Sequence, residues 1–284
     1  MGEVGEDAGY AGSGDARAGD VRADYVRAPA WIVWGVPGLL LLLVAAVELA
    51  GWNRPVFLWF NGLSEITGPG FWAHTTLLGD GLVTAVLLLP WVRKHPERVW
   101  GGLLGAVVAV AILHAFKGWL TLPRPLAVLP EELVTVIGPG HRSRAFPSGH
   151  ASTFALWTGV WALSTPRRWL SLLLLVPTAL VAISRMAVGV HWPADVMAGW
   201  ALGWVGVWVG LRWARRLPWG VNPVGRRILA GALLASALVL AVIDHTGHAG
   251  VLLFQRLLAG ICLVWGGVEL YRDLRVCRGT GSDP

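Results

Sequence analysis

Charge is scarce in this 284-residue chain: Asp, Glu, Lys and Arg make up 14% of it. A soluble domain carries about a quarter, so an ordinary water-exposed globule is excluded. Cysteine is nearly absent. Cys262 and Cys277 provide no disulfide framework, and neither stands at metal-ligand spacing from a partner. No Asn-x-Ser/Thr sequon occurs, so glycosylation gives no guide to topology. A carboxylate cluster and a His-x3-His pattern are also missing, which leaves no ligand set for a hard cation or zinc. Neither a metal nor another cofactor is expected.

What is present is apolar: 55% of residues are hydrophobic and the mean hydropathy is +0.59. That is too apolar for a disordered chain. The hydrophobic residues fall in runs of about 16 to 22, enough to cross a hydrocarbon core roughly 30 Å thick. Eight spans follow: Trp31–Ala50, Ala73–Val92, Val99–Trp119, Gly149–Leu163, Trp169–Val190, Pro193–Trp213, Ile228–Ile243 and Gly250–Tyr271. The fold class is all-α, a polytopic integral membrane helical bundle. Residues 1–30, rich in Gly, Ala, Asp and Arg, read as a disordered tail. The first span exceeds the apolar core of about 7 to 15 residues in a signal peptide, so it is expected to stay as an anchor.

The net charge of +6 does not indicate nucleic acid. The cations sit in short clusters between apolar runs, as membrane orientation requires, and do not gather on one soluble face. The N-terminal tail and the loops holding Arg93, Arg167, Arg212–Arg227 and Arg272 carry sixteen Lys and Arg; the alternate loops carry six. By the positive-inside rule both termini are cytoplasmic. Five of those six, Lys117, Arg124, Arg142, Arg144 and Arg185, gather on the outer side together with His141, His150, His191 and Asp195. The same rule disfavours such a collection there, so a specific role holds it.

Three segments at outer span ends carry it: Lys117 to Arg124-Pro125, Pro147-Ser148-Gly149-His150, and Ser184-Arg185 to His191 and Asp195. Lys117, Arg124 and Arg185 supply cations suited to phosphate oxygens. Ser148 and Gly149 open a helix whose free N–H groups and dipole point at the same place, and glycine lets an anion approach closely. His191 and His150 are candidates for nucleophile and general acid or base. Asp195, four residues beyond His191, is spaced to hold one imidazole nitrogen and free the other. Together these describe a cradle for a phosphoryl group.

The segments resemble the three signatures of the type-2 phosphatidic acid phosphatase superfamily: Lys-x6-Arg-Pro, Pro-Ser-Gly-His and Ser-Arg-x5-His-x3-Asp, in order and with every position filled. The resemblance implies a six-span catalytic core over residues 31–215. It also implies a phosphohistidine on His191, oriented by Asp195. His150 serves as leaving-group acid and then as activator of water. Lys117, Arg124, Ser148, Gly149 and Arg185 hold the phosphate. The family includes soluble vanadate-binding haloperoxidases, but this membrane composition points to the lipid phosphatase branch. Residues 216–284, a cytoplasmic linker, two further spans and a short tail, lie outside the core, and their role stays open.

Other polar residues have competing readings. His114 lies one turn before Lys117, either lining the site or serving as an interhelical hydrogen-bond partner. His141, Arg142 and Arg144 are candidates for a headgroup contact or plain loop charges. Glu131 and Glu132 read as solvated, and Glu48, His74 and Asp80 as wet interfacial groups rather than functional ones. Trp200, Trp204 and Trp208 form a stripe that faces lipid or packs, with a lipid-chain groove as the sharper alternative. Gly199/Gly203 and Gly206/Gly210 have the spacing of close helix packing. Arg256 is either paired with an acid or snorkelling.

The expected activity is metal-independent hydrolysis of a lipid (pyro)phosphate at the outer face, undecaprenyl pyrophosphate first. Phosphatidylglycerophosphate, phosphatidic acid and lipid A phosphates follow. A phosphotransferase using the same intermediate is the first rival, and a non-catalytic lipid transporter the remote one. The partners expected are the lipid substrate and the bilayer, in a bacterial host the inner membrane. No nucleic acid and no obligate protein partner is inferred.

Overall fold

The computed structural model describes residues 25–248 and 250–279; the tail expected to be disordered lies, over residues 1–24, outside the described residues, as does the side chain of Cys277. The described residues form eleven α-helices and three short 3-10 turns, without strands. The helices are α1 Ala30–Leu49, α2 Asn53–Thr67, α3 Pro69–Leu77, α4 Gly81–Val86, α5 Pro96–Trp119, α6 Pro125–Val128, α7 Gly149–Leu163, α8 Arg168–Ala187, α9 Pro193–Arg216, α10 Pro223–Val242 and α11 Leu252–Gly279. Proline opens α3, α5, α6, α9 and α10, where its missing N–H needs no partner.

Helices α1, α5, α8, α9, α10 and α11 are long and apolar enough to cross a membrane. The 15-residue α7 is shorter, about 22 Å at 1.5 Å per residue. It is enclosed by α5, α8 and α9, so its surroundings are protein rather than lipid.

The expected second span, Ala73–Val92, is not one helix. α3 and the segment Gly81–Trp91 meet at a bend of 55°. Asp80 causes it: its Oδ1 accepts from the N–H groups of Leu82 (2.9 Å) and Val83 (3.1 Å), which starts a new helix. A hydropathy run measures apolar length and is blind to such a cap. Asp80 is therefore a structural cap, not a merely wet interfacial group. The sequence reading also passed over α2, whose Phe57, Asn61 and Ser64 face inward.

At the centre stands α9, packed on α1, α5 and α7. Its glycines make that possible. A side chain at Gly199 or Gly203 would run into the carbonyls of Ser148 or Ser152, one at Gly210 into the backbone of α5, and one at Gly206 would crowd Ala109 and the Gly105 carbonyl at 3.1 Å. The expectation of close packing is met. Trp204 is fully buried and Trp208 packs edge-on against Trp34 at 4.6 Å, so at least those two members of the stripe pack rather than form an open groove.

The α10–α11 hairpin seats on α4 and the turn after it, with Leu233, Ala237, Leu240 and Ala259 against Leu77, Val83 and Leu89. At the end away from α7's first turn, buried Glu269 pairs with Arg93, with Arg272 at 3.1 Å and with Lys94 at 3.8 Å. Asp273 there pairs with Arg226 and, at 3.1 Å, with Arg227. Among the described residues Arg256 meets no acid; it makes a long contact of 3.5 Å to the Val242 carbonyl.

Candidate active site

The turn between α8 and α9 delivers His191. Gly189 takes φ +82° there, and a side chain on it would come within 2.5 Å of the Thr135 carbonyl oxygen, so glycine is required twice over. His191 is 2% exposed, and its Nδ1 lies 3.3 Å from Asp195 Oδ2. The same oxygen accepts from the Trp192 N–H at 2.9 Å, which fixes the carboxylate in the first turn of α9. Asn53 supports that turn from α2, accepting from the Ala194 N–H at 3.2 Å.

The first turn of α7 is fastened to the same place. The Ser148 N–H donates to the Asp195 carbonyl at 2.9 Å. Ser148 is fully buried, and its Oγ has no hydrogen-bond partner among the described residues. No side chain caps α7, so its leading N–H groups have no intrahelical acceptor. A side chain on Gly149 would meet only Leu113 at an ordinary 3.6 Å, so packing does not demand a glycine there.

Cations surround this point. Arg124 is held by the Ser143 carbonyl (2.9 Å from Nε) and the Val190 carbonyl (3.1 Å from Nη1), beside His191 in the chain. Arg185, 5% exposed, donates to Thr76 Oγ1, while its Nε has no partner. Lys117 is half-buried at the end of α5. Burial drives the imidazole of His191 well below its usual pKa, and the charges of Arg124, Arg185 and Lys117 add to the effect. His191 is therefore neutral at neutral pH. Burial likewise lowers Arg124, opposed by Asp195.

Two cavities flank the site. One of about 420 Å³ is lined by His114, Lys117, Arg124, His141, Arg142 and Arg144, among others. The second, about 190 Å³, is lined by Asp80, His141, His150, Arg185, His245, Thr246 and His248, among others. His114 thus lines the first cavity and also contacts the Val110 carbonyl at 2.9 Å. Arg142 is exposed and paired with Glu131 at 2.5 Å. Glu48 is exposed, accepting from Asn53 at 2.5 Å. Among the described residues no group of three or more His, Cys, Asp or Glu is arranged to hold a metal.

Sequence reasoning missed Thr76, Asn61 and the 245–248 segment. Only the last left a signal, two histidines three positions apart between the final spans. Asn61 is an internal tie: its Nδ2 donates to the carbonyls of Thr135 (2.8 Å), Ala187 (3.1 Å) and Met186 (3.2 Å), and its Oδ1 accepts from the Thr135 N–H (2.9 Å).

Residues 98–219 match the model of the PAP2 superfamily. Over 126 residues the chain is 39% identical to the undecaprenyl-diphosphatase of Sulfolobus acidocaldarius, covering 43% of this chain and 58% of that one. The chain thus spans just over half the length of that relative. It is 27% identical over 226 residues to phosphatidylglycerophosphatase B of Escherichia coli, covering 61% of this chain and 86% of the other. The fold resembles the crystal structure of Aquifex aeolicus LpxE, with a TM-score of 0.52 at 24% identity over 57% of this chain and 95% of that one.

Proposed function

Starting from a chain whose residues 98–219 match the model of the PAP2 superfamily, we propose that the protein is an integral membrane lipid phosphatase of that superfamily that hydrolyses a lipid diphosphate, undecaprenyl diphosphate first. The observation that carries this reading is the meeting of a neutral, Asp195-held His191 with Arg124, Arg185 and the unpartnered Ser148 hydroxyl in one buried site. The substrate is favoured by the archaeal relative; phosphatidylglycerophosphate, the phosphate ester in the bacterial relative's name, is the next choice.

In the proposed reaction Asp195 accepts from Nδ1–H of His191, leaving the Nε2 lone pair to attack phosphorus in line. Negative charge on the equatorial oxygens meets Lys117, Arg124, Arg185, the Ser148 hydroxyl and the N–H groups of Ser148–Gly149–His150 that are not otherwise engaged. His150 protonates the leaving oxygen and then takes a proton from the water that cleaves the phosphohistidine. The roles need no metal. The surplus of cations at the other end of the bundle supports a reading with both termini in the cytoplasm and the site on the outer face.

The test is phosphate release from undecaprenyl diphosphate by the detergent-purified protein, with His191→Ala alongside and EDTA present. Release by wild type, lost in the variant and unaffected by EDTA, is expected. Equal release by the variant would overturn the mechanism, and EDTA sensitivity the metal-free reading. Release that depends on an added lipid acceptor would mark a phosphotransferase.

A further inference from the structure

The family match ends at residue 219, yet the loop joining α10 to α11 returns to the site. Its His245, Thr246 and His248 line the 190 Å³ cavity that also holds His150 and Arg185. Two contacts fasten the loop there, and a third closes it on itself. His245 Nε2 lies 3.3 Å from Asp80 Oδ2, on the carboxylate whose other oxygen caps α4. His248, 9% exposed, lies against Gly138, where any side chain would overlap its imidazole. Gln255 Nε2 donates to the carbonyls of Leu240 and Ile243, each at 2.7 Å, which ties the loop's entry to its exit.

Among the described residues, Thr246 Oγ1 and His248 Nδ1 are buried without hydrogen-bond partners, as are Ser148 Oγ and Arg185 Nε. Buried polar atoms without a partner are rare in folded proteins. Together with His141, His150 and Arg185, Thr246 and His248 give the cavity beside the catalytic histidine a polar, cationic lining, one suited to an anionic group additional to the phosphoryl group held at His191.

We infer that this cavity is a second phosphate subsite, in which Thr246 and His248 bind the phosphate that stays on the lipid, so that the substrate class is a lipid diphosphate. The inference deepens the proposed function and rests on its assignment of His150 as leaving-group acid. As His191 Nε2 forms its bond to the terminal phosphorus, the bond from that phosphorus to the bridging oxygen breaks. The electron pair goes to the bridging oxygen, which takes the proton of His150, and the lipid monophosphate departs. The atom next to His150 thus belongs to a phosphate, and the space beside His150 is where that phosphate lies. A lipid monophosphate would place carbon there and leave Thr246 and His248 unpartnered. Arg185 lines this cavity and supplies its cation. Asp80, the one acid in the wall, is turned to backbone N–H groups and His245.

The experiment uses the full chain in detergent with farnesyl diphosphate and farnesyl monophosphate, so that only the phosphate count differs. Thr246→Val, nearly isosteric, and His248→Asn are compared with wild type. The ratio of kcat/KM for diphosphate over monophosphate is expected to fall about tenfold or more in each variant, the loss of a hydrogen bond to a charged group. Inorganic pyrophosphate should inhibit wild type more strongly than orthophosphate, and the variants should lose that difference. An unchanged ratio, or equal slowing on both substrates, overturns the subsite while the phosphatase reading stands. Failure of wild type on both substrates overturns the two together.

Discussion

Gly199 stands one turn beyond Asp195 on α9, and replacing it with alanine separates the positioning of the site from the stability of the fold. A Cβ there would meet the Ser148 carbonyl carbon and amide nitrogen at 3.1 Å, with the carbonyl oxygen nearer still. All three atoms are backbone, so no rotamer change relieves the contact. To restore ordinary van der Waals separation, α9 and the first turn of α7 must part by on the order of 0.5–1 Å. That movement lengthens the 2.9 Å bond from the Ser148 N–H to the Asp195 carbonyl and draws the Ser148–Gly149 cradle away from His191. Misplacement on this scale costs about 100-fold in rate. Overpacking costs about 1–3 kcal/mol of stability, a shift of only a few degrees in Tm. The assay is phosphate release per mole of folded protein, beside thermal unfolding in the same detergent. Gly231→Ala is the control, because a Cβ at Gly231 meets nothing within 4 Å. It should keep full activity and gain slightly from alanine's helix propensity. A folded Gly199→Ala protein with wild-type turnover would refute the argument, as would activity lost only in step with unfolding.

The pH profile follows from His191. Burial first, then Arg124, Arg185 and Lys117, lower its pKa, so it stays neutral as pH falls through its usual value of about 6.5. The acid limb of kcat/KM is therefore expected below that pH, and a limb centred above it would contradict the assignment. Stability moves with the same sign. The unfolded chain takes up a proton near pH 6.5 where the native His191 does not, so this contribution is whole above that pH and is lost as pH falls toward the native value. His248 and His141, also lowered by burial, add in the same direction. A Tm that rose between pH 7 and about 5 would be the contrary result. Asn61→Ala should destabilise by about 1–3 kcal/mol, because it strands backbone groups of Thr135, Met186 and Ala187 in the interior. An unchanged unfolding transition would show that water replaces the amide.

Much of this was legible in the sequence because the relevant signals are local. The spans of α1, α5, α7 and α9 follow from apolar runs bounded by Pro, Gly and Arg, and α7 begins and ends where expected, at Gly149 and Leu163. The His191–Asp195 pair was legible because helical spacing alone brings positions four apart together. What stayed hidden was long-range. The bend at Asp80 needs a cap that hydropathy does not register. Asn61 earns its role from Thr135 and Met186, far along the chain. The approach of His248 to the site depends on how α10 and α11 seat on α4, which no window of residues near His248 encodes.

The bend between α3 and α4 has a consequence for the surrounding lipid. Where a membrane helix breaks, peptide groups lose their intrahelical partners, and hydrocarbon offers them none. Here the breach opens beside His150, with Thr153 Oγ1 bonded to the Gly79 carbonyl across it. On its other flank, the α10–α11 hairpin leans over the same stretch, Phe254 edge-on to His74 at 5.3 Å and Gly266 tight against Leu89. The hairpin thus covers the bend from the side opposite α7. Substitutions on the hairpin face that meets α3 and α4 are therefore expected to disturb the surroundings of His150 without altering any residue of the three motifs.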